Sequence, residues 1–425
     1  MDGGVSSRMR WTSGCCCKKP PPSRPLWIRR RAMPRKSETV LAIDLGSMSM
    51  KLCCGTLHSN GFTVEHLIEA PLPPNTIREG LILEPAVVAR ALRQTLNQAG
   101  VRHRSAFVAV GGPQVTARPV RLPPMTPEVL RKSIQFEAAR YLPSAAEEHL
   151  IGFEILHSAE DHLEVLLVAA PRSVVDSVIS ALERAGVEVA LVEIQPFASL
   201  RTVHALWQER MPAVFALLDI GGSHTQISVA RGGTLALTRY IPIAGETLTA
   251  ALKGYFHFSE EEVSHIKRSL NLAELLQTGT PQENPPLRLV QPILDELIRE
   301  IRRSLNYYQS QVQANTKIFS PTQQGTPENK ILKTHEGGIE TLVLTGGGVL
   351  MQGIATYFEH RLGIPTQLFN PFEGEPGLLQ IERVHPDQRA QGAQWVVALG
   401  TALAPLEQRQ PFAPATAPPT EAQAA

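Results

Sequence analysis

An acid, two small turn residues and a lysine lie close together at the start of the apolar part of the chain. An apolar run ends at Asp44, a Gly46-Ser47 turn follows, and a second strand-like run carries Lys51. Backbone N–H groups and a cation suit phosphate oxygens, and a carboxylate suits the water shell of Mg²⁺. Because an Asp-x-Gly turn is common, this β-hairpin alone is a weak signal, and it becomes specific only with partners downstream.

The same layout recurs about 175 residues later. A second apolar run ends near Asp219 and is followed by Gly221 and Gly222, by Thr225 and by another strand-like run. A third glycine turn, Gly346–Gly348, also follows an apolar run. Glycine lets backbone N–H groups approach an anion without obstruction. Two hairpins that hold phosphates from opposite sides, with a third turn beneath the adenosine, predict a duplicated α/β protein with a nucleotide cleft.

Composition restricts the class of protein. The 425 residues suggest two to three domains, and 43% hydrophobic with 19% charged residues is typical of a globular chain. Residues 1–36 carry ten Lys or Arg and one acid, so the rest has a net charge of −8 and is not a generic nucleic-acid binder. The cysteines, at 15–17 and 53–54, have neither disulfide nor zinc-site spacing, which favours a reducing cytoplasm. No apolar run approaches the ~18 residues of a membrane span.

Composition shifts and periodicity predict how the chain is divided. The first domain (38–206) includes a small α+β insertion subdomain (about 115–190). The second domain (207–393) includes a helical subdomain (about 246–312) and a surface loop (313–338), and a helix (394–405) then returns to the first domain. A disordered basic tail (1–37) precedes the domains and a disordered Pro/Ala-rich tail (406–425) follows them.

These motifs resemble those of the actin-like ATPase superfamily. Asp44–Lys51 resembles its phosphate-1 segment, Asp219–Thr225 its phosphate-2 segment, and Leu344–Gly348 its adenosine loop. Within the superfamily, Arg121–Pro123 and Glu137–Pro143 resemble segments typical of the PilM family of type IV pilus assembly proteins, which is related to the division protein FtsA. Apart from the predicted 313–338 loop, the likeness covers residues 39–405.

The resemblance implies an actin-like ATPase fold, in which two RNase H-like domains enclose a nucleotide cleft, and it implies ATP and Mg²⁺ as ligands. It assigns Asp44 and Asp219 to catalysis and to the metal. The residues that it assigns to the nucleotide are Gly46, Ser47, Met48, Ser49, Lys51, Gly221, Gly222, Thr225, Gly245, Lys267, Gly346, Gly347 and Gly348.

The resemblance also implies a place in the cell and a set of partners. We expect a cytoplasmic scaffold, peripheral to the inner membrane, that takes part in type IV pilus biogenesis and twitching motility. Such a scaffold grips the cytoplasmic N-terminal peptide of a PilN-type inner-membrane protein, near residues 115–145 by analogy. It couples that protein to the pilus assembly and retraction ATPases, and self-association is a further expectation.

Two departures from the family pattern favour nucleotide binding over turnover. Met48 replaces a serine of the phosphate-1 turn, and Ser264 replaces a carboxylate expected near the ribose, with Glu262 on a different helix face. A lost charge-assisted hydrogen bond costs roughly 1.5–3 kcal/mol. We therefore expect a weak ATPase at most.

Three alternatives to an ATP-binding pilus scaffold stay open. One is a pseudo-ATPase scaffold of the same system. A second is an FtsA-like division protein, which requires a C-terminal amphipathic membrane helix, and the prolines in 406–425 disfavour one. A third is a sugar kinase, which the PilM-like insertion disfavours.

Overall fold

The computed structural model of the chain describes residues 38–59, 61–142, 144–207, 211–276, 284–317, 338–373 and 377–409. The predicted tail at 1–37, residues 410–425 of the predicted C-terminal tail, and residues 318–337 of the predicted loop lie outside these ranges.

The strands are short and belong to four sheets. In chain order they are β1 (Glu38–Leu45), β2 (Ser49–Leu57), β3 (Phe62–Pro71), β4 (Ile77–Arg78), β5 (Leu81–Ile82), β6 (Ser105–Val110), β7 (Thr116–Leu122), β8 (His149–Ser158), β9 (Leu163–Pro171), β10 (Glu188–Ile194), β11 (Val214–Ile220), β12 (Thr225–Arg231), β13 (Thr234–Ile241), β14 (Thr341–Thr345), β15 (Thr366–Leu368) and β16 (Leu379–Gln380).

The helices alternate with these strands. They are α1 (Pro85–Gln98), α2 (Pro127–Ala138), α3 (Arg172–Arg184), α4 (Gln195–Trp207), α5 (Gly245–Phe256), α6 (Glu260–Ser269), α7 (Pro285–Lys317), α8 (Ile354–Leu362), α9 (Pro386–Ala390) and α10 (Val396–Arg409). Among the described residues, no helix combines the length and the apolar character needed to cross a membrane.

The two large sheets repeat one topology. The first has the order β10-β6-β1-β2-β3-β16 and the second the order β13-β12-β11-β14-β15. In each, an antiparallel meander (β1-β2-β3 or β11-β12-β13) continues through its first strand into parallel strands. The strands are buried on both faces: one face of the second sheet packs into the core that also holds the first sheet, through residues such as Phe215 and Leu217, and its other face packs into a second core. The predicted duplication of one α/β unit is therefore visible in the strand order.

The insertion subdomain is a three-stranded sheet, β7-β9-β8, covered by α2. Thr126 caps the start of α2, since its side chain accepts a hydrogen bond from the Val129 N–H. The subdomain ends at Pro171, before the expected boundary near 190: α3 packs against α1, and β10 pairs with β6 in the first large sheet. Both elements cover or extend the first domain because their apolar residues belong to its core.

Two predicted boundaries are corrected by helices that run further than expected. The predicted loop at 313–338 begins inside α7, which continues to Lys317 because no proline or glycine lies between Pro292 and Pro321. The predicted tail at 406–425 begins inside α10, which continues to Arg409 because Leu406 is still buried against the first domain. α10 packs against α4 and β1, so the end of the described chain lies on the first domain.

Candidate functional site

The two predicted hairpins have the same turn geometry. In the first, the Gly46 N–H donates to the carbonyl of Ser49 at 3.1 Å, and in the second the Gly221 N–H donates to the carbonyl of His224 at 3.1 Å. In both, an aspartate is the penultimate residue of the preceding strand, two residues before that glycine. Each turn is therefore closed by the same hydrogen bond.

The hairpins meet across a cavity of about 110 Å³ between the two domains. They touch at its edge, because a Cβ atom added to Gly222 would lie 2.7 Å from both Met48 Cγ and Ser47 Oγ. The cavity brings together most of the residues that the sequence assigned to a nucleotide and a metal. Those lining it are Asp44, Gly46, Ser47, Met48, Ser49, Lys51, Asp219, Gly221, Gly222, Gly346 and Gly347.

Lys267 and Gly245 lie behind the second hairpin instead of lining the cavity. Lys267 Nζ donates to the carbonyl of Gly245 at 2.9 Å and to Thr249 Oγ1 at 3.0 Å. Burial lowers the pKa of Lys267. The Gly245 N–H in turn donates to the carbonyl of Gly221 at 3.1 Å. This chain of bonds fixes the second hairpin to the start of α5.

Thr225 and Gly348 also do not line the cavity. Thr225 Oγ1 donates to the carbonyl of Ile243 at 2.7 Å, so this buried side chain connects β12 to the segment before α5. Gly348 packs on Ile220, whose Cγ2 would lie 2.4 Å from an added Cβ. Both residues support the loops that line the cavity.

Two carboxylates from different domains share the cavity. Burial, and then the charge of Asp44, raise the pKa of Asp219 to about 7 against the opposing charge of Lys51. Burial also raises the pKa of Asp44, against the attraction of Lys51 and a hydrogen bond that Gln195 Nε2 donates to Asp44 Oδ1 at 2.9 Å. Two acids of opposite domains, one of which raises the pKa of the other, favour a bound cation between them.

Lys51 is held at the rim of the first hairpin. Its Nζ donates to Ser49 Oγ at 3.2 Å and lies 3.7 Å from Glu69 Oε1. Ser49 Oγ donates to the same Glu69 oxygen at 2.7 Å. An anion in the cavity would compete with Glu69 for this lysine.

Several polar residues that line the cavity were not assigned to the site from the sequence, among them Gln195, Gln394 and His224. Gln195, the first residue of α4, contacts Asp44, and Gln394 lies beside Gly347. His224 packs edge-on against Tyr240 with ring centroids 5.0 Å apart, and burial lowers its pKa to about 4, so it is neutral at pH 7. Only the position of Gln195 directly after an apolar strand could have drawn attention to it.

The cavity fits the phosphates and the metal better than the rest of a nucleotide. Ser47 Oγ is buried without a hydrogen-bond partner in the described part of the chain, and glycine backbone surrounds it. No group of three acidic, His or Cys side chains forms a metal site among the described residues, so a divalent ion would depend on Asp44 and Asp219 with phosphate oxygens. Ser264 is exposed, and Glu262 caps α6 by accepting from the Ser259 N–H. No carboxylate is therefore available at the position expected for ribose.

A two-domain duplication around paired aspartates, with a glycine turn after the fourth strand of the second sheet, defines the actin-like ATPase fold, as predicted. The chain belongs to the type IV pilus assembly protein PilM family, whose model matches residues 42–319. The solved structure of a PilM-PilN type IV pilus biogenesis complex matches 87% of this chain and 98% of its own chain, with a TM-score of 0.71 and 25% identity.

The chain is also similar to cell division proteins. FtsA of Bacillus subtilis is 24% identical over 265 residues, which are 56% of this chain and 59% of that protein. FtsA of Pseudomonas aeruginosa is 24% identical over 382 residues, which are 82% of this chain and 87% of that protein. The alignment with the Bacillus protein thus spans less than two thirds of its length.

Proposed function

We propose that this PilM-family protein is an ATP-binding actin-like scaffold of type IV pilus assembly, cytoplasmic and peripheral to the inner membrane. The observation that carries the proposal is a cavity in which two turns with the same hydrogen bond meet the carboxylates of Asp44, which is buried, and Asp219, which is partly buried. The backbone N–H groups of the turns and Lys51 hold phosphate oxygens. Asp44 and Asp219 hold Mg²⁺, which neutralises the charge between them.

Hydrolysis is at most weak in this proposal. Gln195 keeps the carboxylate of Asp44 in place through the hydrogen bond to Oδ1. The neutral His224 offers no positive charge to a developing phosphate anion. The missing ribose carboxylate and the small cavity favour, as a second candidate, a pseudo-ATPase scaffold of the same system that works without nucleotide.

Calorimetric titration with ATP and Mg²⁺ separates the two candidates. We expect heat of binding from the wild-type protein and a loss of at least tenfold in affinity for Asp44→Ala, because a charged hydrogen-bonding group contributes about 1.5–3 kcal/mol. Asp176→Asn, at an exposed position on α3, serves as the matched control. Equal heats from wild type and Asp44→Ala would reject the nucleotide site and leave the pseudo-ATPase.

The partner proposal is independent of the nucleotide. The protein docks to the cytoplasmic N-terminal peptide of a PilN-type membrane protein, near residues 115–145, and so presents the platform to the pilus assembly and retraction ATPases. The support is family membership together with the likeness to a PilM-PilN complex. A pull-down of the folded protein by an immobilised PilN-type N-terminal peptide tests it, and absence of binding would reject it.

A further inference from the structure

Strand β8 forms an unpaired edge of the insertion subdomain. In the three-stranded sheet β7-β9-β8 it hydrogen-bonds to β9 alone. Apart from β9, the described elements that pack against β8 are α2, on one face, and the 3-10 turn Ala146–Glu148 that leads into it. Leu150 to Phe153 are half-buried, whereas the residues of β9 are buried apart from Glu164. No described strand or helix therefore runs along the outer edge of β8.

Several other sheet ends in the described part of the chain are short or covered. β15 and β16 are three and two residues long, and β7 packs along β13. Such edges offer little to a further strand. β8 has ten residues, none of them proline, and its ladder with β9 is regular from His149 to Ile155. It is therefore long enough to pair with another strand.

The sequence of β8 reads almost the same in both directions. On either side of Phe153 the same residue types recur at equal distances, which are, in outward order, Ile151 and Ile155, Leu150 and Leu156, and His149 and His157. The exception is the innermost pair, Gly152 and Glu154. Two copies of this strand that run antiparallel, with Phe153 opposite Phe153, would therefore place like apolar residues opposite each other. The glycine would leave room for the glutamate side chain.

Alternate residues of β8 face two different cores. Ile151, Phe153 and Ile155 pack on the core of the insertion subdomain, and Leu150 and Leu156 pack on the core that holds the first sheet. Directly opposed residues of antiparallel strands point to the same face of the sheet. A two-fold axis perpendicular to the sheet satisfies this condition only when it passes between two copies of the same residue.

The side chains select Phe153 as that residue. An axis at Gly152 would place Leu150 opposite Glu154, an apolar side chain against a carboxylate. An axis at Glu154 would place two carboxylates opposite each other, and like charges at that position are destabilising. An axis at Phe153 avoids both and adds an aromatic pair at the centre.

We propose that this protein forms a two-fold symmetric dimer in which β8 pairs antiparallel with β8 of a second copy of the chain. Two three-stranded sheets then join into one sheet of six strands, in the order β7-β9-β8-β8-β9-β7. The main-chain groups on the outer edge of β8 supply the hydrogen bonds, and the apolar pairs fix the register. Because the interface is isologous, it closes on itself and limits assembly through this edge to two chains. The dimer does not depend on the nucleotide cavity.

Charge reversal at one cross-strand pair tests both the dimer and its register. In the proposed register, Ile151 of each copy lies opposite Ile155 of the other. Ile151→Lys/Ile155→Lys and Ile151→Glu/Ile155→Glu should each weaken dimerisation at least tenfold in sedimentation velocity, because like charges would face each other. An equimolar mixture of the two variants should dimerise again with one chain of each kind, since every lysine then faces a glutamate. Native mass spectrometry identifies this heterodimer.

The matched control is Leu368→Lys, at a 46% exposed apolar position on the edge strand β15, and it should dimerise like wild type. Hydrogen exchange at the amides of 150–156 should be slower in the mixture than in either charged variant alone. Thermal melting checks that each variant is folded.

Three results would overturn the proposal. A wild-type protein that stays monomeric at every soluble concentration would show that β8 does not pair. A double-lysine variant that dimerises as well as wild type would place the contact elsewhere. Two folded charged variants that form no heterodimer when mixed would exclude the register centred on Phe153.

Discussion

At the scale of single residues, the environment of Asp219 makes the stability of the protein depend on pH. Its pKa is raised from 3.8 to about 7 by burial and by Asp44. Between these two values the folded protein holds a proton that the unfolded chain has lost. The free energy of unfolding contributed by this group therefore falls as the pH rises from about 4 to about 7.

Asp219→Asn should remove this loss of stability at higher pH. In EDTA, the variant should melt at the same temperature as wild type at pH 4 and higher at pH 8, by several degrees. The reason is that each unit of pKa shift corresponds to about 1.36 kcal/mol, and one kcal/mol moves the melting temperature of a chain of 150–250 residues by roughly 2–4 °C. Added Mg²⁺ should stabilise wild type at pH 8 and not the variant. A difference in melting temperature that is the same at both pH values would contradict the assignment.

A buried ion pair connects three elements of the first domain. Arg201 of α4 donates to both carboxylate oxygens of Glu193 on β10, at 2.8 and 2.7 Å, and to the carbonyl of Gly400 on α10 at 2.8 Å. Arg201→Met should cost about 3–5 kcal/mol, because it leaves a buried carboxylate uncompensated. Glu193→Leu/Arg201→Met should recover most of that loss in urea unfolding. If the double variant is no more stable than Arg201→Met, the pair is not the source of the cost.

At the scale of elements, α4 and α10 cross so closely that only glycine fits at the contact. A Cβ on Gly400 would lie 1.9 Å from the carbonyl oxygen of Ala198, a backbone atom that cannot move aside. Gly400→Ala should therefore destabilise the protein by about 1–3 kcal/mol or more. Gly254→Ala, in α5 with open space around it, should stabilise by roughly 0.5–1 kcal/mol. Denaturant unfolding should show that the two substitutions change the free energy of unfolding in opposite directions. A change in the same direction would refute the close crossing.

The burial of α4 in this crossing shows what the sequence could and could not predict. The three glycine turns were predicted because an apolar run followed by glycine, with an aspartate in two of the three, forms a local pattern. Helix α4 was missed: its residues 196–206 are all buried, including Arg201 and His204, so it shows no amphipathic period. Gln195 was missed with it. Contacts such as Gln195 with Asp44, 151 positions apart, depend on the assembled fold and leave no signature in either segment.

At the scale of the whole molecule, the cavity between the two hairpins is smaller than its proposed ligand, ATP. Ligand pockets usually measure about 300–1,000 Å³, and this cavity measures about 110 Å³. The contact of Met48 and Ser47 with Gly222 closes its edge. ATP would therefore enter only if the two domains move apart.

A disulfide across this contact tests the movement directly. A Cβ on Gly222 would lie 2.7 Å from Ser47 Oγ, the atom whose place a cysteine sulfur would take. The two Cβ atoms, which lie about 3.5–4.5 Å apart in disulfides, are therefore close enough to be bridged. In a chain with serines at positions 15–17, oxidised Ser47→Cys/Gly222→Cys should bind ATP at least tenfold more weakly than its reduced form. The two single variants should respond to neither oxidant nor reductant. Equal affinity in both redox states would mean that the cleft admits ATP without opening, whereas no binding in the reduced form would count against the site itself.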